Sequence, residues 1–332
     1  SNNTLTNNIG TSNSSYGISL SISSNNTLTN NIGTSNSSWG IYLASSSDNN
    51  TLTNNIGTSN SYYGILLSSS SNNILTNNTG TSNTSFGIYL TQSSNNLFYN
   101  QIAIGYLAGS VAINISASNN ILFQDCVNIS GARDVYATTN SLNATFLNCS
   151  YDTYIGTNET VTAGSTLIRK WYYRAYTSGV VAQINATNRT GQLEFSINTD
   201  STGWTNITSI TDYWNIGGTR NYYSNYTINA SSASSSLYHT YNASLGNNLN
   251  DIFLFGTCTY SGSGDWRINI SDNCILSSNT NLGANIFAVY GYSGILTVNS
   301  SISAKQIHYT PNDFNGDFIV KIAPGGQLSP RT

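Results

Sequence analysis

Ser1-Asn2-Asn3-Thr4-Leu5-Thr6-Asn7-Asn8-Ile9-Gly10-Thr11-Ser12-Asn13 opens the chain, and nearly the same words return from Ser24, Asp48 and Ser71. Leu5, Leu28, Leu52 and Leu75 hold one phase at spacings of 23, 24 and 23 residues. Phe98, Leu122 and Phe146 continue it at 23, 24 and 24. A second phase carries Tyr16, Trp39, Tyr63 and Phe86, each followed by a glycine and then an Ile-Xaa-Leu triplet. Self-similarity at a fixed period of this size is the signature of a solenoid. Disorder, the other reading of a tract so rich in Ser and Asn, does not require apolar columns held in phase.

One copy has too few apolar residues to build a core alone. Within it, Ile18 and Leu20 alternate with serine, the period-2 pattern of a strand with one buried face, and Ser, Asn and Gly between such pieces form turns. Short strands and turns wound into a coil, each coil stacked on the next about 4.8 Å away, bury the Leu and Ile columns in a continuous interior. The expected fold is all-β: a right-handed parallel β-helix of about seven coils with 23–24 residues per coil over residues 1–155. Asn2, Asn25, Asn49, Asn72, Asn95 and Asn119 are expected to stack as a ladder that fixes register.

The run Asn-Asn-Thr-Leu-Thr-Asn-Asn followed by Tyr-Gly-Ile-Ser-Leu resembles the right-handed parallel β-helix repeats of NosD-like and related carbohydrate-binding proteins. Repeats of this kind abound in archaeal surface-layer and adhesin-like proteins, so the resemblance implies an extracellular, cell-surface location. The fold hosts lyases, hydrolases, adhesins and inert rods alike, and function must come from the site. Copper delivery, which the NosD likeness brings to mind, needs soft ligands. The chain has no Met and only two His, His239 and His308.

Past residue 150 the wording changes. Strand-like segments at 167–176, 180–185, 192–197 and 204–211, separated by Gly turns, read as an Ig-like β-sandwich over 156–250. Residues 251–332 read as a small C-terminal β domain or short second solenoid, with strands near 266–270, 285–290, 294–298 and 318–322. Charged residues are 7% of the chain and the net charge is −3, so no basic face exists for nucleic acid. No apolar run is long enough to span a membrane.

Catalysis finds little to work with. A glycoside hydrolase needs two carboxylates a few ångströms apart. The solenoid stretch offers Asp48, Asp125, Asp134 and Asp152, with Arg133 beside Asp134. The run Asn312-Asp313-Phe314-Asn315-Gly316-Asp317 is rich in oxygen ligands but lacks the closing Glu of a calcium loop. No enzyme, cofactor or metal site is expected. Cys126 takes the place of Ile9 in its coil, and Cys149 lies near the same column one coil on, close enough to bridge. Cys258 and Cys274 form the natural second pair, although four cysteines allow three connectivities and Cys126 also fits a buried thiol.

Sequons after residue 155 mark Asn158, Asn185, Asn188, Asn206, Asn225, Asn229, Asn242, Asn269 and Asn299 as candidate carriers of covalent N-glycans. The aromatic column Tyr16, Trp39, Tyr63 and Phe86 reads either as turn packing or as a strip on which sugar rings of a surface polysaccharide stack. The chain starts inside a full-strength repeat, so Leu5, Ile9, Ile18 and Leu20 are expected to face outward along the axis. An open end of that kind suits head-to-tail contact between copies, giving a filament or surface layer. The expected function is therefore a non-enzymatic structural subunit of an extracellular assembly, with a glycan-binding adhesin as the alternative.

Overall fold

The computed structural model describes residues 1–154, 158–178, 180–232, 236–258, 260, 262–291, 294–311 and 318–330. It divides into two compact units, Ser1–Trp171 with Thr211–Tyr222, and Tyr172–Ile210 with Tyr223–Thr332. The first unit is a right-handed parallel β-helix. Its first sheet stacks Thr4–Thr6, Thr27–Thr29, Thr51–Thr53, Ile74–Thr76, Leu97–Tyr99, Leu122–Gln124 and Ala144–Leu147. The second begins with Ile9–Ser12, Ile32–Ser35 and Ile56–Ser59 and ends at Asn128–Ser130. The third runs from Ile18–Ser21 and Ile41–Ala44 to Arg133–Thr138 and Glu159–Val161.

Each coil turns its corners with residues in the left-handed region. Asn2, Asn25, Asn49, Asn72, Asn95 and Asn120 make one such column, and Asn7, Asn30, Asn54, Asn77 and Asn100 another. Asparagine tolerates this backbone better than other residues with a Cβ, which explains the Asn-Asn pairs on either side of the Leu strand. The second Asn of each pair points inward. Asn26 donates its backbone N–H and its Nδ2 to Oδ1 of Asn50, at 2.8 and 2.9 Å, and Asn50 and Asn73 repeat the pattern one coil on. A parallel ladder runs through Asn8, Asn31, Asn55 and Asn78.

The interior is layered. Leu28, Leu52, Leu75, Phe98, Phe123 and Phe146 are fully buried in one column, and Leu5 packs partly buried at its head. Ile41, Ile65, Ile88 and Ile113 fill the third-sheet side. Burying one such side chain contributes about 1.5–3 kcal/mol. On the second sheet the inward position is Gly10, Gly33, Gly57 and Gly80, then Ala103. A Cβ on Gly57 would lie 2.3 Å from the carbonyl oxygen of Gly64 and 2.8 Å from Cγ1 of Ile65. Two backbones thus touch at this corner, and the repeated glycines exist to let them.

Several sequence expectations are corrected by register. Phe123, not Leu122, follows Phe98 in the column, because the intervening coil has 25 residues. For the same reason Asn120, not Asn119, continues the Asn95 column. Ile9 is 74% exposed on the outside of the second sheet and belongs to no interior column; Asn7 and Asn8 reverse the facing between Leu5 and Ile9. Ile18 and Leu20 are buried at 8% and 6% rather than open to the axis.

The expected boundary at 155–156 falls partly outside the described residues, yet parallel pairing goes on beyond it. Residues 159–161 pair with 135–137, and residues 167–170 with 144–147, each one coil on. Alternating strands carry the same local pattern whether their partner runs parallel or antiparallel, so the change of wording did not mark the end of the coil stack.

In the second unit, Leu193–Asn198, Gln183–Thr187, Tyr226–Ser231 and Ser236–Tyr241 pair antiparallel. The same sheet then passes into Ile275–Leu276, Gly294–Val298 and Phe318–Ile322, the last two pairs parallel. One sheet thus crosses both segments that were expected to fold apart as an Ig-like sandwich and a C-terminal domain. Trp266–Asn269, Ile286–Gly291 and Gln306–Pro311 stack in parallel beside Thr280–Asn281, Ser301–Ala304 and Gln327–Pro330, forming a short second coil stack. The oxygen-rich run 312–317 lies outside the described residues.

Gly57→Ala tests the corner contact. The added methyl should destabilise the first unit by about 1–3 kcal/mol through overpacking against backbone. An alanine at exposed Ser14 should leave the thermal midpoint unchanged, and equal midpoints for all three proteins would contradict the close approach.

Candidate functional site

The aromatic column forms as a ring stack. Tyr16 and Trp39 have centroids 4.9 Å apart and planes 5° from parallel; Trp39 and Tyr63 follow at 6.2 Å and 6°, Tyr63 and Phe86 at 5.0 Å and 4°. Tyr42 and Tyr89, from the outer face of the third sheet, lean on its side. This packing has a chemical consequence. A sugar ring binds an aromatic through the ring face, but here each inner face is covered by the next aromatic and solvent meets ring edges. The stack holds the turns of coils together, and Tyr16 and Phe86, at its two ends, each have one face not covered by the column.

The cysteines sit where the inward carboxamide ladder stops. Nδ2 of Asn55 and Asn78 donates to the carbonyls of Leu28 and Leu52, and Nε2 of Gln101 does the same to Leu75 at 2.8 Å. Cys149 occupies the equivalent slot, its sulphur 3.5 Å from the carbonyl oxygen of Phe123. Cys126 precedes it by one coil and the two are disulfide-bonded, with Cα atoms 4.7 Å apart. Cys126 therefore replaces the Asn8 position, not that of Ile9, and a covalent link takes over between rungs where the amides end. Cys258 and Cys274 are joined in the second unit.

The solenoid carboxylates Asp125 and Asp134 each have hydrogen-bond donors within the fold. Asp125 accepts from Nδ2 of Asn148 at 2.6 Å, on a corner, while Asp134 is buried. Asp134 accepts from the backbone N–H of Gly131 and of Asp152, at 2.9 and 2.8 Å. Burial pushes its carboxyl above the ordinary value, with the two backbone donors opposing.

A larger polar cluster lies inside the first unit, and sequence reasoning missed it. Glu159, 1% exposed, accepts from the hydroxyls of Tyr151 (2.8 Å) and Tyr213, from Nδ2 of Asn215 (2.7 Å), and from Nε and Nη2 of Arg220 (2.9 and 2.7 Å). Burial and the neighbouring Glu159 push both tyrosine hydroxyls up, so they remain donors. Arg169 lies over the rings of Trp171 and Tyr151, with Nη1 4.0 Å from Asp212. Outside the cluster, Asp152, Thr153, Tyr154 and Arg220 line an open cavity of about 530 Å³. Glu159 is 61 residues from Arg220, so no local motif joins them. Rarity was the available signal: in a chain with 7% charge, an acid inside a β-strand needs a partner.

In the second unit, Nδ1 of His239 lies 2.6 Å from Oδ1 of Asp251, and Tyr173 donates to Oδ2 at 3.0 Å. The imidazole stacks on Phe253 at 4.2 Å. Of the sequon residues, Asn206, Asn225 and Asn299 are exposed, and Asn158, Asn185, Asn229, Asn242 and Asn269 are half-buried. Asn188 is 7% exposed, its Oδ1 accepting from Thr190 and Gln192 to close a turn, so a folded chain offers no room for a glycan there.

Asp212 supplies a pH test. Burial pushes its carboxyl from 3.8 up to about 6, and Arg169 pulls it only partly back. A carboxyl raised by folding favours the folded state while protonated, and that advantage is lost as pH rises through about 6. Ionisation at pH 8 costs about 3 kcal/mol. Asp212→Asn should raise the thermal midpoint at pH 8 and narrow the difference between pH 4 and pH 8. A variant less stable than wild type at pH 8 would show that the Arg169 pair outweighs burial.

Among the described residues, Cys258, Asp272 and Cys274 are a cluster of three groups whose donor atoms lie within 4.8 Å of one another. The two sulphurs are bonded to each other and offer no thiolate. No curated protein matches the chain. Among solved structures, the bacteriophage CBA120 tailspike protein 2 enzymatically active domain is similar at 9% identity and a TM-score of 0.28, over 68% of this chain and 54% of that one. The chain thus spans about half the length of that tailspike domain, and a likeness at this score bears on neither site nor activity. The family model described as periplasmic copper-binding protein (NosD) matches residues 1–227. Residues 1–227 contain no His and no Met, and their two cysteines are paired, so the side chains here do not fit a soft copper ion. The family match and the coil stack agree over more than half the chain, which belongs to the NosD family.

Proposed function

We propose that this chain is a non-enzymatic structural element on the outside of the cell, a surface or adhesin-type β-helix that stacks head to tail with copies of itself. The observation that carries the reading is what happens to its buried acids. Asp134, Glu159 and Asp251 each sit among hydrogen-bond donors inside the protein. Such groups hold strands together and are not poised on a substrate. Membership of a family described as periplasmic supports a location outside the cytoplasm.

Head-to-tail stacking is supported by the polarity of the coil edge. Asn3, Asn26, Asn50 and Asn73, and likewise Asn8, Asn31 and Asn55, donate to the coil that follows, so the acceptor oxygens of Asn3 and Asn8 face the other way. The edges of Thr4–Thr6, Ile9–Ser12 and Ile18–Ser21 carry the backbone groups that later coils use for pairing. A second copy, or earlier residues of the same chain, would meet the same template. Leu5→Lys, at the partly buried head of the leucine column, should leave a folded protein that no longer forms long assemblies by electron microscopy. Normal assembly by that variant would sink the stacking reading.

Glycosylation belongs to the same reading. Peptide mass mapping of protein from its native source should find glycans on Asn206, Asn225 and Asn299 and a bare Asn188. Unmodified asparagine at all three exposed sites would remove the glycan coat from the proposal.

A further inference from the structure

We propose that the outer face of the first sheet binds ice, through a flat lattice of threonine side chains. In each of the first coils the Leu strand turns its central residue inward and its two flanking residues out. The outward ranks are Thr4, Thr27 and Thr51, continued by Ile74, and Thr6, Thr29, Thr53 and Thr76. Pairing is parallel and in register at every step, with no bulge. Hydroxyls and methyls therefore repeat about every 4.8 Å between coils and roughly 6.7 Å along each strand. A two-dimensional lattice of this kind matches a ligand that is itself a lattice. The oxygen repeats on a prism face of hexagonal ice lie close to both spacings, and a Thr side chain offers a hydroxyl to bond and a methyl to order the water between.

Three further observations point the same way. The first is an internal comparison between faces. Outward positions of the third sheet carry Ser19, Tyr42, Leu66 and Tyr89, so that face has diverged from coil to coil. The second sheet is as uniform as the first, but its outward ranks set Ile9, Ile32 and Ile56 beside Thr11, Thr34 and Thr58, so the first sheet is the one that presents two threonine ranks side by side. The second is charge. Residues 1–97 contain one charged side chain, Asp48, so nothing on this face holds a liquid-like hydration shell against ordering. The third is rigidity: inward Asn ladders directly beneath the strand ends fix each rung to the next. An array that is to match a crystal must not breathe.

The proposal is independent of end-on stacking, because the face lies along the side of the coils. Full-chain protein is assayed for ice shaping and for inhibition of ice recrystallisation in sucrose. Wild type should facet ice crystals and keep grains small. Thr27→Lys and Thr51→Lys, each at an exposed position, should abolish both effects, with far-UV circular dichroism and thermal midpoint unchanged. Ser19→Lys, exposed on the third sheet, should behave as wild type. Round, freely coarsening crystals with wild-type protein, full activity in both folded threonine variants, or loss in Ser19→Lys alone would each overturn the assignment. Should one lysine variant fail to fold, the other still gives the reading.

Discussion

Everything in the first unit depends on carboxamides that have been taken out of water and must be satisfied coil by coil. A buried amide without a partner costs several kcal/mol, so each inward Asn is acceptable only if the next coil presents an oxygen in the same place. That requirement fixes register more strictly than the Leu and Ile columns can, since apolar contacts tolerate sliding and hydrogen bonds at 2.8–3.1 Å do not. Stacking is thereby made uniform, and uniformity permits the other columns. Rings can lie parallel, glycines can meet backbone, and outward side chains can form a lattice.

Where the ladder ends, the fold changes its means of holding coils together. Oε1 of Gln101 is buried without a hydrogen-bond partner, and the following slots hold the Cys126–Cys149 bridge. Phe98, Phe123 and Phe146 replace leucine and stack at 4.4 and 5.1 Å. Ala103 replaces the corner glycine, and Ile129 follows it. After that, the cluster around Glu159 binds strands 60 residues apart by charge-assisted hydrogen bonds. A buried ion pair of this kind adds little net stability over an apolar plug, but removing one partner alone would be costly. Its role is to specify which strands belong together.

The buried carboxylates of Asp134, Glu159 and Asp251 serve the same economy. Charged groups are rare, at 7% of the chain. Membership of the NosD family places the fold without supplying a metal site, because the side chains that would hold copper are not at these positions.

The sequence by itself determined the coil: a repeat near 23–24 residues, the Leu5 column, the Tyr16 column and the turn-forming Asn pairs can be read without coordinates, because each is a periodic demand of local geometry. It also held the cysteine pairing within reach, since equivalent positions on adjacent coils are close. What only the tertiary structure decided was phase and partnership. One extra residue moved the column from Leu122 to Phe123, the left-handed Asn7 turned Ile9 outward, and the parallel stack ran on past residue 155. Glu159 met Arg220, and His239 met Asp251, through the path of the chain between them. Local pattern states that a strand has an inner face; which strand it faces, and which rare charge it buries there, is settled by hydrogen-bond satisfaction across the whole fold.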